Sequence, residues 1–430
     1  MKKYIFLCSI AVFCNNIIAN PSDIDTSFNN GIDASLFVAF SVNSAQDIAV
    51  QNDGKIVTVG YSGDNALIVR FENDGQLDTT FTNGQANQIP GTVTINLGLN
   101  TAAYALAIQP LDSKIIIAGY VNTSAGNQLF IARFNTDGTL DEDFGADDTG
   151  YVIHALGGYQ TEAFDVALDY SANIVVTGTT TTPSATSGVN SSCAFVARYL
   201  PSGAIDTTFN AADTPGYKKT LFGATFTKAQ ALAIEKDQNG ELVIDGKIVV
   251  TGQAYIDGKP GLIVFQYDND GVLDTGFNDG TEYAVLPSTA YVSSIGFDVA
   301  VQVDGKIVVV GSSNLTDGFP NQLYTILRLN SNGTVDTTFN SPLGYSASDH
   351  GLTANSLAIQ DNAQIITCGL NYDAAYIVII TRYNNDGTID ATFNFVPQTD
   401  ASLNTIGKAI TLQADGKVIV SGVKVIPEIL

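Results

Sequence analysis

Residues 47–81 read DIAVQNDGKIVTVGYSGDNALIVRFENDGQLDTTF, and the parts of this stretch return along almost the whole chain. Residues 47–51 alternate polar and apolar side chains, and residues 55–60 (KIVTVG) are rich in β-branched ones; both patterns belong to strands with a half-buried face. Between them, Asn52-Asp53-Gly54-Lys55 holds an Asp-Gly pair that tolerates positive φ angles, which predicts a tight type I′ hairpin joining antiparallel neighbours. Residues 66–71 (ALIVRF) read as a third strand and Glu72-Asn73-Asp74-Gly75 as a second turn. Leu77-Asp78-Thr79-Thr80-Phe81 closes the unit.

The closing phenylalanine recurs at Phe28, Phe81, Phe144, Phe209, Phe277, Phe339 and Phe393, at intervals of 53 to 68 residues. The glycine that ends KIVTVG recurs at Gly60, Gly119, Gly178, Gly252, Gly311, Gly369 and Gly422. The third strand returns as IVRF, IARF, VARY, VFQY, ILRL and ITRY, so that Arg70, Arg133, Arg198, Arg328 and Arg382 share one position and Gln266 replaces the arginine once. A further apolar stretch, such as residues 92–97, 151–154 or 217–222, lies before each next hairpin, which makes about four short strands per unit. No segment shows a sustained helical period. Radially repeated four-stranded units describe a β-propeller; a linear β-solenoid is the competing arrangement, but its repeats are usually shorter.

The pattern [DG]-K-I-[IV]-x-x-G followed by [FI]-x-x-R-[FY]-x-x-x-G-x-[LIV]-D-x-x-F resembles the delta-60 repeat family of bacterial exported proteins, from about Asp23 to Val423. That resemblance implies a β-propeller and no particular activity. The expected fold is therefore all-β: one propeller over residues 20–430, seven-bladed, with about four strands per blade. Two hairpin turns depart from the pattern, Tyr170-Ser171-Ala172-Asn173 and Asp361-Asn362-Ala363-Gln364, and another turn geometry is expected there. Closure is the weak point. Only eight residues follow Gly422, Pro427 interrupts them, and the seventh blade is expected to be incomplete or to end in an atypical outer strand.

Residues 1–19 follow another regime, with Lys2 and Lys3 ahead of an apolar run over residues 4–13 and a tolerable cleavage site at Ile17-Ile18-Ala19. This reads as a secretory signal peptide, too short for a spanning helix; acylation at Cys14 is disfavoured by Phe13 before it. Export to the periplasm, the cell surface or the medium is expected, with no membrane insertion once the signal is gone. Of the four cysteines, Cys193 and Cys368 remain in the mature chain, read as buried free thiols. Acids outnumber bases 43 to 19, a formal charge of −24, and no basic cluster could neutralise phosphates, which argues against nucleic acid as a partner.

No catalytic, cofactor-binding or metal-binding residue stands out. The aspartate of LDTTF recurs at Asp78, Asp141, Asp206, Asp274, Asp336 and Asp390, with Asp25 in the entering fragment; followed by hydroxyl residues, it reads as a turn lock that the repeated arginine could pair with. Calcium could suit Asp268-Asn269-Asp270-Gly271-Val272-Leu273-Asp274 or the insertion at residues 235–245, though the first lacks the terminal glutamate of an EF-hand and a solvated turn is the plainer reading. His154 and His350 fall in different units with no nucleophile motif near either.

The link from the repeated glycine to the arginine position varies in length, and in a propeller these links share one face while the repeated turns share the other. Specificity is expected at residues 61–65, 120–128, 179–192, 254–260, 312–322 and 370–374. The function expected is a monomeric, non-catalytic scaffold that binds a protein or a carbohydrate partner there. The alternatives are a polysaccharide hydrolase or lyase with its site at the channel mouth, and a purely structural surface module.

Overall fold

The computed structural model describes residues 7–16, 23–24, 35–41 and 43–424, apart from 85–88, 183–190, 224, 238, 289, 317–320, 373–374 and 394–404. The opening stretch forms strands where its pattern requires them. Asn43–Val50, Ile56–Ser62 and Asn65–Phe71 pair antiparallel in chain order, and Thr92–Ile95 adds an outer strand. Four more sheets, over residues 100–154, 160–220, 227–285 and 293–348, repeat that order strand for strand. Phe28 and Asp25 lie outside the described residues, as do the cleavage site at residues 17–19 and the last six residues.

The expectation of a seven-bladed propeller is overturned: six blades follow one plan. Five have all four strands, and the sixth shows three among the described residues, Thr353–Ile359, Ile365–Tyr372 and Tyr376–Tyr383. Between the sixth blade and the first stands a five-stranded sheet of another construction. Thr405–Leu412 pairs with Val418–Lys424, which pairs with Leu7–Asn16, and that strand pairs in turn with Ser35–Ser41 and Asp23–Ile24. Among the described residues the C-terminal part supplies two strands to this sheet, and the N-terminal part pairs with the edge of the second. Sequence reading looked for the closing strand only after Gly422, or for an incomplete last blade, and did not foresee that Leu7–Asn16 pairs with Val418–Lys424.

The first hairpin is likewise not a type I′ turn. The Gly54 N–H donates to the Gln51 carbonyl at 2.9 Å, the Gln51 N–H donates to the Lys55 carbonyl at 2.8 Å, and among residues 52–54 only Gly54 has a positive φ, 88°. A type I′ turn needs two such residues; one gives a three-residue loop, a type I turn ending in a left-handed residue. The turns at residues 170–173 and 361–364 keep the same bonds, with Ala172 (φ 59°) and Ala363 (φ 63°), like Ser113 (φ 56°) in the second blade, at the position that Gly54 and Gly305 hold. They therefore share the common geometry and carry the strain of a Cβ in the left-handed region.

The core lies at the seams between blades. Phe81, fully buried, packs among Val57 and Val93 of its own blade and Ile117 of the next, and the Arg70 guanidinium lies 4.5 Å over its ring. Burying such a ring contributes about 1.5–3 kcal/mol, and Phe144, Phe209 and Phe339 repeat the arrangement under Arg133, Arg198 and Arg328. Among the described residues no helix is long and apolar enough to cross a membrane.

Candidate binding site at the central channel and its mouth

The register of each blade puts its two hairpin turns of constant sequence at one end and the variable links at the other. Most of each link is strand: the first spans Ile56–Ser62 and Asn65–Phe71 with only Gly63 and Asp64 between them, and the fourth spans Ile248–Ile256 and Lys259–Tyr267 with only Asp257 and Gly258. In the third, fifth and sixth links, residues 183–190, 317–320 and 373–374 fall outside the described set.

At the constant end the repeated aspartates lock turns. Asp78 accepts the Thr80 N–H at 3.0 Å and the Thr80 hydroxyl at 2.6 Å through Oδ1, and its Oδ2 takes Arg70 and Lys55, both at 2.7 Å. The same pairs recur as Arg133–Asp141, Arg198–Asp206, Arg328–Asp336 and Arg382–Asp390. Burial raises the pKa of these carboxyls and the hydroxyl, amide and cation bonds outweigh it, so that Asp336 and Asp390 are held down at about 2. Four of the arginines also reach across the seam: Arg70 to the Thr136 carbonyl, Arg133 to the Pro201 carbonyl and Arg198 to the Asn269 carbonyl, the last two at 2.6 Å, and Arg328 to the Asn385 carbonyl at 2.5 Å. All five arginines of the sequence pair with their own aspartate at the constant end.

The other sequence candidates have local partners. The Asp268 carboxylate accepts the N–H groups of Asp270 and Val272 in its own turn, and Asp274 pairs with Lys247 at 3.0 Å. Asp237, in the insertion at residues 235–245, accepts the N–H groups of Asn239 and Glu241. Among the described residues no group of three or more His, Cys, Asp or Glu is arranged to hold a metal ion. His154 Nδ1 lies 3.1 Å from the Tyr199 hydroxyl and His350 Nε2 lies 3.3 Å from that of Thr381; burial lowers both pKa values. Cys193 is half-buried and Cys368 buried, both free, and burial pushes both thiols up.

Sequence reasoning named the channel mouth but none of the residues that line the channel, although the repeated glycine marks them. The inner strand of every blade carries a bulge opposite that glycine: Ala45 pairs with Gly60 and Asp47 with Val59, leaving Gln46 unpaired. A Cβ on Gly60 would sit 1.7 Å from the Ser44 carbonyl oxygen, and one on Gly178 would sit 2.0 Å from that of Glu162, so only glycine fits beside the bulge. The bulged residues, Gln46, Tyr104, Phe164, Gln230, Phe297, Asn355 and Lys408, all line the axial channel.

Directly after three of the bulges come Asp47, Asp165 and Asp298. Each accepts its own following N–H through Oδ1 at 2.7 Å, and through Oδ2 an N–H of the next blade, from Leu106 at 2.8 Å, Leu232 at 2.7 Å and Leu357 at 2.8 Å. The carboxylates border the channel, yet protein surrounds them. Desolvation pushes all three up, Asp47 to about 7, and the charge of Asp298 adds to the effect on Asp47.

Above the channel, at the variable end, half-buried aromatic rings gather beside a few polar groups. Tyr104 lies with its ring centroid 5.8 Å from Tyr120 and 5.5 Å from Phe164. Glu162 Oε1 accepts a bond from Asn127 at 2.5 Å, and the Asn127 oxygen accepts one from Asn122 at 2.6 Å. Burial raises the phenol pKa of Tyr104 and Tyr120, with Glu162 and Tyr61 adding to it. Beside this cluster a depression of about 190 Å³ is walled by Glu162, Phe164, Gln160, Thr179, Thr181, Ser192, Lys228 and Gln230.

Residues 51–81, 111–144, 173–209, 245–277 and 302–339 match a family model described as "Domain of unknown function (DUF5122) beta-propeller", and every matched segment ends at the closing phenylalanine. The chain thus carries repeats of a β-propeller family. No curated protein matches the sequence. Solved structures of similar architecture include a PL25 polysaccharide lyase, an ulvan lyase, at 10% identity over 81% of this chain and 84% of that one, with a TM-score of 0.47. The PQQ-bound aldose sugar dehydrogenase of Streptomyces coelicolor is 12% identical over 90% and 96%, with a TM-score of 0.43. Sqt1 of Chaetomium thermophilum is 12% identical over 86% and 75%, with a TM-score of 0.40. Likeness at this level says nothing about a ligand.

Proposed function

We propose that the protein is a non-catalytic binding propeller that holds a carbohydrate at the variable-end mouth of its channel. The observation that carries this reading is the convergence of Tyr104, Tyr120 and Phe164 beside the depression walled by Glu162, Lys228 and hydroxyl and amide side chains. Aromatic walls with a few placed hydrogen-bonding groups of both senses suit a polyhydroxylated chain. Catalysis is the weaker reading there. Burial makes the phenols of Tyr104 and Tyr120 harder still to deprotonate, which disfavours them as the base of a lyase, and every arginine is at the opposite end.

Binding to a panel of immobilised glycans tests this. A glycan retained by the wild type and lost on Phe164→Ala or Lys228→Ala supports the mouth. Retention unchanged by both overturns it, and release of unsaturated or reducing sugar from a bound polysaccharide would make the protein an enzyme.

Export and a monomeric state belong to the same proposal, as does the delta-60 assignment within the propeller repeats. Residues 1–19 would then be removed, whereas in the structure Leu7–Asn16 pairs with Val418–Lys424. Mass spectrometry of the mature N-terminus separates the two: a start near Asn20 supports export, and an intact Lys2-Lys3 start overturns the signal reading.

A further inference from the structure

The fourth blade departs from the plan at the constant end, where Gln266 stands in place of the arginine. Gln266 is 3% exposed, its Oε1 has no hydrogen-bond partner, and it borders a cavity of about 200 Å³ shared with Glu235, Lys247, Ser331 and Asn332. Sister blades show what this space holds elsewhere. There the guanidinium donates to its own aspartate and to the carbonyl of one residue in the next blade's turn, Pro201, Asn269 or Asn385. The residue at that turn position after the fourth blade is Ser331. Asp169 and Gln302 stand at the position of Glu235, and they face their arginines at 3.9 and 3.4 Å. The Asp274 side chain is 27% exposed, whereas its paired counterparts are no more than 9% exposed.

The acceptors of an arginine site are therefore all present in the fourth blade, and the arginine is not. We propose that this cavity binds a guanidinium group from outside the chain, as an arginine side chain of a peptide or as a small arginine derivative. Glu235 and Asp274 leave one negative charge after Lys247, and a planar fork of N–H donors matches carboxylate and amide oxygens better than an ammonium does. A cavity of about 150 Å³ suffices for benzene, so a guanidinium with its first methylenes fits. The site is at the opposite end from the proposed carbohydrate mouth and does not depend on it.

Calorimetric titration of the full chain with N-acetyl-argininamide tests the proposal, with the lysine and citrulline analogues as controls. The expected result is saturable binding of the arginine compound, with both analogues at least about tenfold weaker, a difference of roughly 1.4 kcal/mol. Gln266→Arg should fill the site from within, raise the thermal midpoint and abolish binding. Gln266→Met should keep the fold and weaken binding by removing one acceptor. A Gly-Arg-Gly peptide that binds more tightly than N-acetyl-argininamide identifies a peptide as the source, and equal affinity identifies a small molecule. Absence of saturation, equal binding of the lysine analogue, or binding that survives Gln266→Arg overturns the proposal.

Discussion

Two sets of aspartates occupy different parts of the blades, the turns of the constant end and the wall of the channel, and the fold uses them in opposite electrostatic regimes. At the constant end, Asp78 and its counterparts sit among arginine, lysine and threonine donors and are held ionised. In the channel, Asp47, Asp165 and Asp298 have backbone N–H donors and no cation among their hydrogen-bond partners, and burial pushes them towards neutrality. The channel set joins a blade to its successor directly, and the constant-end set does so through the arginines it anchors. The constant-end set relies on a charge that is fully matched, so breaking it leaves a stranded ion; the channel set relies on hydrogen bonds that a neutral carboxyl can partly keep.

The sharpest break of that comparison is Arg198→Met. It leaves Asp206, 5% exposed, without its guanidinium and frees the Asn269 carbonyl across the seam. Removing one partner of a buried pair costs about 3–5 kcal/mol, read as a lowered urea midpoint. A loss below about 1 kcal/mol would mean that Asp206 can take up a proton when unpaired, as the channel set does. The double variant Arg198→Met, Asp206→Leu should recover much of the loss, since no buried ion then remains.

Acid and alkali should act on the two sets with opposite sign. Asp336 and Asp390 titrate at about 2 in the fold and at about 4 when unfolded. Their contribution is complete above about pH 4 and is lost as pH falls towards 2. Asp47 titrates at about 7, so between about pH 4 and 7 the folded chain keeps a proton that the unfolded chain has released, and stability falls as pH rises through that window. Thermal midpoints should therefore peak at about pH 4–5. Because overall acidity also lowers stability at higher pH, the decisive readout is the difference from Asp47→Asn. That variant should be less stable than wild type at pH 4 and recover ground by pH 8. A constant difference would show that Asp47 is ionised throughout, like the constant-end set.

The constant end was legible because its residues recur at fixed intervals. Arginine eight residues before aspartate, with phenylalanine three residues after it, is a pattern that any register of the repeat exposes, and the Arg70–Asp78 pairing follows it. The channel was not legible for the converse reason. Asp47, Asp165 and Asp298 occupy one repeat position that holds alanine at Ala105 and Ala231, so a search for constancy passes over them. The glycines were seen, but their meaning depends on a carbonyl that only the bulge brings within 2.0 Å of their Cβ direction, as at Gly178. The blade count failed because closure borrows Leu7–Asn16, whose composition reads as an export signal and whose spacing to the first LDTTF-like motif differs from that of the repeated strands.

The smallest expected effect probes the seam where the alternation cannot continue. Aspartate then alanine works in pairs: Asp47 reaches blade two and Asp165 reaches blade four, each beside a small residue, Ala105 or Ala231. Six inner strands could repeat this three times, but the closing sheet adds one more, and an odd number leaves one strand that must both receive a staple and supply one. Blade six has Ser356 at that position. Its hydroxyl donates to Asp298 Oδ2 at 2.8 Å and accepts the Ile410 N–H of the closing sheet at 3.3 Å, which neither alanine nor an ionised aspartate could do. Ser356→Ala should cost about 1 kcal/mol. The loss should appear as faster hydrogen exchange in residues 405–412 than in the inner strands of blades two and four. Exchange that rises equally in all inner strands would show that Ser356 serves general packing, and that the closing sheet is held by its strand pairing alone.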